Sequence, residues 1–394
     1  MIRFLVTVFL LAGCASSERG ASPDMNRFSF PLALAKDPTE SYVFVVSSNF
    51  DQGWRGGTVV PIKVPENEKI PEAGLEIRSF ASQMVVFQSA SGEKGFVTVR
   101  DGNVIQFFDI VRDEQGLRLD CGGSGNEGAK RCGSGDERQF ESDAGGQLSV
   151  QRDLYGLRLG SVENAPVLYV ASIHDGTLGV FDVSEADGSL GKSSSALLAG
   201  GLHSIVEGDE IDKKRVLFVT NRQNNIVHIV DVWNEGSEKK VVERGRISVP
   251  QTTTSGDYFR GAQISSDRKV LYAAFRSPAS LVVFEVMEDG WLGLRGLVPV
   301  GVAPSEVAVA RVGGRDLVYV SDYTSNSIYC IDPYDLQVKD RIHVGAGPYG
   351  MVLVGGEDKG FFRLYVALFE DNEVDVIDVL PSSPTWHKVV ARIR

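Results

Sequence analysis

His203, Arg260 and Glu306 are ionisable residues set at or beside the start of short β-rich runs. Together an imidazole, a guanidinium and a carboxyl can hold an anion or exchange protons with a bound molecule. Aligning the runs by their apolar triplets gives them a context. The triplets are Leu32-Ala-Leu34, Met84-Val-Val86, Leu157-Arg-Leu159, Ala262-Gln-Ile264, Val307-Ala-Val309 and Met351-Val-Leu353, with Ile205 in the remaining run. Two residues ahead of them stand Phe30, Ser82, Tyr155, His203, Arg260, Ser305 and Tyr349. If the runs are strands around one axis, these residues form a ring at the mouth of a channel. Tyr155, His203, Arg260, Ser305 and Tyr349 are then the ligand-binding candidates, and His203, Arg260 and Glu306 the candidates for acid–base chemistry. The same residues would also arise as the plain lining of a water-filled tunnel.

Other chemistries are missing from the sequence. No His pair has metal-ligand spacing, no Gly-x-Ser-x-Gly elbow or phosphate-binding glycine loop occurs, and no Cys-x-x-Cys-His haem attachment is present. The Asp101-Gly, Asp175-Gly and Asp187-Gly pairs read as turns, because further carboxylates at alternate positions are lacking. Neither a metal nor another cofactor is expected. Cys121 and Cys132 lie in a glycine-rich stretch with no His or third Cys nearby, so a disulfide closing a small loop is expected rather than a zinc site. Cys330 alternates with Tyr329 and Ile331 in a β-rich run and reads as a buried free thiol.

The elements that must position the ring are read from a recurring stretch. Its clearest copy runs from Leu317 to Pro333, and others include Val167 to Asp182, Val216 to Asp231, Val270 to Glu285 and Leu364 to Asp378. Each is an apolar β-rich run, a polar turn, and a second β-rich run closed by an acidic residue, which makes a hairpin. Measured from Leu168, Leu217, Leu271, Val318 and Leu364, the copies lie about 50 residues apart, the length of a four-stranded blade. With weaker copies at Tyr42 and Gly95 the count is seven. The expected fold is all-β: a seven-bladed β-propeller of four-stranded antiparallel blades. Closure is expected by packing of the first blade on the last, with residues 26–29 adding an outer strand there as a clasp. Between Asp109 and Val167 lie about twenty residues more than the repeat needs, an insertion at about 111–150 that contains both cysteines.

On these residues the chain resembles the YVTN-type β-propeller repeat family. Phe218-Val-Thr-Asn221 matches the core of that repeat, with Phe in place of Tyr, and Ile229-Val-Asp-Val232 matches its ending. The resemblance specifies architecture rather than chemistry. It spans 28–394, read as a single domain.

Residues 1–13 form a short basic start and an apolar run too short to cross a bilayer, a signal peptide. Leu11-Ala-Gly-Cys14 resembles the bacterial lipobox, which implies cleavage before Cys14 and lipidation of its sulfur and new amine. At ~0.8 kcal/mol per buried methylene, acyl chains there would hold the protein on its membrane. Ala15 and Ser16 in place of an aspartate favour the outer membrane. Residues 14–27, small and polar, read as a flexible tether. A formal net charge of -12, with no basic stripe, argues against nucleic acid as a partner.

Two functional classes remain. One is an envelope lipoprotein, anchored through Cys14, whose rigid propeller binds an envelope protein or a polysaccharide. The other is suggested by a further resemblance, to seven-bladed lactonases that hydrolyse sugar lactones. That family places His, Arg and Glu around its channel, as His203, Arg260 and Glu306 could, although its His-Pro motifs do not occur in this sequence. More distantly the repeat resembles haem d1-binding propellers, for which only His203 is available as an axial ligand.

Replacing Cys14 by Ser is expected to stall processing or free the protein from the membrane, and labelled palmitate should enter the wild type alone. Wild-type protein that fails to take up the label would refute the lipobox reading.

Overall fold

The computed structural model of the protein describes residues 20–114, 116–122, 130–139, 153–250 and 256–394. Seven antiparallel sheets follow one another along these residues and form a seven-bladed β-propeller. Blades 3 to 7 are four-stranded meanders, running from Leu154 to Ile393. In blades 1 and 2 the outer strand is split into two short pieces, each pairing with the same third strand. The innermost strands are Pro31–Lys36, Ala81–Gln88, Leu154–Val162, Leu202–Ile211, Phe259–Ile264, Pro304–Val312 and Pro348–Gly356. Each touches the next, and the seventh touches the first, so the ring is closed.

Closure has a side-chain counterpart. Alternation along a strand sends successive side chains to opposite faces of the blade. The second strands therefore read as unbroken apolar runs, because both faces are covered by neighbouring blades. At one equivalent position in every second strand stands an aromatic ring: Phe44, Phe96, Tyr169, Phe218, Tyr272, Tyr319 and Tyr365, all fully buried. Each is wedged into the apolar layer shared with the following blade. Phe218 packs with Phe259 and Ala273 of blade 5, Tyr319 with Leu364 and Val366 of blade 7, and Tyr365 with Val43 and Val45 of blade 1. Full burial of such a ring stabilises the fold by about 1.5–3 kcal/mol.

The chain N-terminal to the first strand departs from expectation. Residues 26–29 form no strand, and the clasp is made by a side chain instead. Phe28 is buried in the layer between blades 7 and 1, with Tyr365, Val376 and Ile393. The Phe30 amide donates to Asn372 Oδ1 at 2.6 Å. The described part of the expected tether, residues 20–27, is docked rather than free: the Arg55 amide donates to the Ala21 carbonyl at 3.0 Å and Pro23 is buried. The apolar side chains of Pro23, Met25 and Phe28, scattered among polar neighbours, supply that packing without any periodicity to betray it. The signal segment and Cys14 lie outside the described residues.

The insertion in blade 2 carries the disulfide. Cys121 and Cys132 are bonded, with Cα atoms 5.1 Å apart, and both are buried, while Cys330 is free and buried. The cross-link lies between the two pieces of the outer strand, Gly116–Asp120 and Glu137–Gln139. It also reaches blade 1. The Glu76 amide donates to the Lys130 carbonyl at 2.8 Å, and the Cys132 amide donates to the Glu76 carbonyl at 3.0 Å. The Glu76 carboxylate takes Arg55 at 2.8 Å and Arg131 at 3.2 Å. What reads in sequence as an insertion closed on itself by a disulfide thus ties blades 1 and 2 together. Changing both cysteines to serine is expected to lower unfolding free energy by roughly 2–3 kcal/mol and to speed hydrogen exchange at the Glu76 amide. Unchanged exchange there would show that the disulfide does not hold this joint.

Candidate functional site

The strand registers place Ser82, Tyr155, His203, Arg260, Ser305 and Tyr349 at one equivalent position, the second residue of each inner strand. Blade 1 differs from expectation: its equivalent residue is Leu32, and Phe30 stands just before the strand. Leu32 is apolar like the strand interior, so in sequence it passes for the first member of the triplet. In the fold it faces the tunnel.

Every inner strand carries a bulge immediately after this position, and hydroxyls of the second strands use it. Thr98, Thr220 and Ser321 accept the bulged amides of Gln83, Ser204 and Glu306 in their own blades, at 3.0–3.2 Å. Each then donates at 2.8 Å to the carbonyl of the ring residue of the next blade, namely Tyr155, Arg260 and Tyr349. A glycine follows each of those three. A Cβ at Gly156 would lie 2.3 Å from the His203 carbonyl oxygen, and one at Gly350 would lie 2.4 Å from that of Leu32. The Tyr-Gly pairs thus mark blades packed unusually close to the next one.

A second ring lies just above the first and was missed by the triplet alignment. The residue at the end of each second strand, or directly after it, donates its amide to the carbonyl of the residue before the inner strand. In blade order these are Ser48, Arg100, Ile173, Arg222, Arg276, Tyr323 and Phe369. The signal was present in sequence, since Arg100 and Arg276 directly follow the apolar run of their hairpin and Arg222 follows its own after Thr220 and Asn221.

The two rings enclose a chamber of about 230 Å³ at the tunnel mouth, into which Arg100, Arg222, Arg260 and Arg276 point. Two carboxylates pair with them. Asp153 holds Arg100 at 3.0 Å, while Asp257 binds Arg276 at 3.0 Å and also pairs with Arg260. Arg276 donates further to Ser305 Oγ at 2.9 Å. Arg222 has no side-chain partner among the described residues; burial and the neighbouring Arg260 both weaken its hold on its proton. Two guanidiniums lining one chamber make its mouth electropositive, an arrangement that can attract an anion.

Below the chamber the tyrosine hydroxyls meet, Tyr155 donating to Tyr349 at 2.8 Å. Beneath them the tunnel widens to about 420 Å³, lined by Glu306, Gln83, Gln263 and Arg158 among others. Burial pushes the Glu306 carboxyl up to about 8, against the opposing pull of Arg260 and Arg276. The half-buried Glu306 carboxyl is thus shifted toward its protonated form. Among the described residues no group of His, Cys, Asp and Glu could hold a metal ion.

Of the ligand-binding candidates, His203, Arg260 and Ser305 do not converge on one point of the chamber. Arg260 faces the chamber, but Ser305 is buried and occupied by Arg276. His203 is fully buried, with neither ring nitrogen partnered, and stacks on Tyr155 at 4.2 Å between centroids. Burial, reinforced by four nearby arginines, holds its pKa well below the usual imidazole value. It backs Tyr155 as a neutral ring. The tunnel-lining position that sequence assigns to it is displaced because Tyr155 lies across it.

No family model and no curated protein matches the chain. Solved structures do resemble it. A putative 6-phosphogluconolactonase from Bacteroides fragilis NCTC 9343 aligns with TM-score 0.59 at 15% identity, over 81% of this chain and 86% of that one. The periplasmic gluconolactonase of Pseudomonas aeruginosa aligns at 0.58 and 17%, over 80% and 86%. A virginiamycin B lyase from Staphylococcus aureus aligns at 0.55 and 13%, over 87% and 93%. At these identities the likeness is one of fold.

Glu306 makes a pH test. Its native carboxyl keeps its proton to about pH 8, whereas the unfolded one releases it near 4.5. The native state binds the extra proton, so this contribution to stability is full below about pH 4.5 and is lost as pH rises through about 8. Glu306→Gln should therefore flatten the decline in unfolding midpoint between those limits. Parallel midpoint-against-pH curves for variant and wild type would refute the assignment.

Proposed function

We propose that this protein is a binding module of the bacterial cell envelope, tethered through Cys14, that takes up a small organic anion at the arginine-lined mouth of its propeller tunnel. The observation that carries the reading is Arg222: a guanidinium without a side-chain partner among the described residues, beside Arg260 in a chamber whose four arginines are met by two carboxylates, Asp153 and Asp257, that lie behind its lining. An anion would relieve that repulsion and complete the charge balance. The partner expected from the sequence, an envelope protein or a polysaccharide, would be recognised through such an acidic group. The envelope placement is supported by the lipobox-like ending at Cys14 and by the Cys121–Cys132 bond, since disulfides persist in oxidising compartments outside the cytosol.

A second reading, hydrolysis of a sugar lactone, is supported by Glu306, a carboxyl beneath the tyrosine pair that burial shifts toward its protonated form, which suits it to donating a proton to a leaving alkoxide. The names of the gluconolactonases sharing the fold point the same way. The second reading predicts release of acid from gluconolactone above the spontaneous rate, lost in Glu306→Gln.

For the first reading, inorganic phosphate titrated into the purified protein should raise its unfolding midpoint. Arg222→Ala should weaken phosphate binding at least about tenfold, the loss of one charge-assisted contact, with the unliganded midpoint unchanged or higher. Equal binding by variant and wild type, or no binding to either, would refute the anion site.

A further inference from the structure

The mouth chamber is polarised, and its two sides call for two kinds of chemistry. The arginines approach from blades 2, 4 and 5. The opposite arc is a continuous chain of aromatic rings from blades 6, 7, 1 and 2. Tyr323 meets Phe369 at 6.3 Å between centroids, Phe369 meets Phe50 at 5.6 Å, and Phe50 meets Phe80 at 6.0 Å, the last two edge to face. Leu32 continues the apolar surface downward to the tyrosine pair. Phe50 is 52% exposed, the extreme case among the described phenylalanines, and it stands at the cavity mouth rather than on an outer surface. From there a groove of about 290 Å³ leads outward between Phe50, Phe80 and Arg100. A large ring left in water beside a cavity is a feature that folding alone does not select.

What is missing from the chamber is as telling. None of the described residues lining it carries a carboxylate or a carboxamide. These are the groups that usually accept and donate to a sugar's hydroxyls, and burying such hydroxyls without partners is costly. The hydroxyls that do line it are engaged: Tyr155 and Tyr349 with each other, and Tyr323 with Glu370.

We infer that the chamber takes an amphipathic aryl anion, its acidic head among Arg222, Arg260 and Arg276 and its flat apolar body against Phe50 and Phe369, in preference to a polyhydroxylated sugar acid. This rests on the reading of the arginine cluster as an anion site and specifies what that anion carries.

Three probes with related heads separate the alternatives: phenyl phosphate, glucose 6-phosphate and inorganic phosphate, each titrated calorimetrically into the full-length protein. Phenyl phosphate should bind at least about tenfold more tightly than either of the others, as expected for shielding one ring face from water. Phe50→Ala should erase that advantage while leaving inorganic phosphate affinity unchanged. Arg222→Ala should weaken both. Phe50 is exposed and Arg222 has no side-chain partner among the described residues, so neither variant should lower the unfolding midpoint, which is measured alongside. If glucose 6-phosphate binds as well as or better than phenyl phosphate, or Phe50→Ala leaves the ranking intact, the aryl assignment is wrong and the anion site stands. If Arg222→Ala has no effect on any probe, or no probe binds, the anion site itself fails and the aryl assignment with it.

Discussion

Seven buried aromatic rings, one from the second strand of each blade, fix how far each blade sits from the next. Because each ring is shared between a blade and its successor, the last interface, filled by Tyr365 against Val43 and Val45, is built by the same rule as the other six. The blades have few contacts besides those with their neighbours, so the curvature of the ring is the sum of seven local packings. A ring too large at one interface would open a gap at another. The interior is also dry and close-packed there, which is why a change of one side chain at such a joint propagates to the tunnel.

The tunnel lining inherits its positions from that packing through hydroxyl bridges. Thr98, Thr220 and Ser321 stand next to the ends of the wedge-bearing strands and grip the backbone of the ring residue one blade on. The backbone around the mouth is thereby fixed without using the side chains that face the cavity. Those side chains are free to vary, and here they vary into arginines on one side and aromatic rings on the other. The scaffold supplies position, and the identity of the outward residue supplies chemistry.

How much of this is legible in sequence depends on whether a residue's neighbours are local. The hairpins, the blade count and the equivalence of Tyr155, His203, Arg260 and Tyr349 follow from a short repeated pattern, and the fold agrees with them. The disulfide follows from the isolation of two cysteines in one glycine-rich stretch. Where contacts come from another blade, the reading falters. Leu32 cannot be told from a core leucine until the tunnel is seen, and His203 cannot be known to lie beneath Tyr155, because that ring belongs to the blade before it. The arginine ring was in plain sight as Arg100, Arg222 and Arg276, but its meaning lies in the convergence of three blades. Residues 20–27 look like a tether because docking needs only Pro23, Met25 and Phe28 to find a groove, and three apolar residues leave no periodic trace.

The way the two chain ends meet has a mechanical side. Phe28 is inserted between the first and last blades, and Lys69 of blade 1 reaches both the Asn26 carbonyl at 2.6 Å and the carbonyl of Arg394. The segment just ahead of the first strand and the last residue of the seventh blade are therefore fastened to a single seam, the one interface of seven that is crossed by no covalent link between consecutive blades. Tension applied at Gly20 draws first on the strap at Ala21 and Arg55, then on Phe28, and only then on strand pairing. Load is thus delivered to the joint where the ring can open like a clasped bracelet, with the apolar plug acting as its pin.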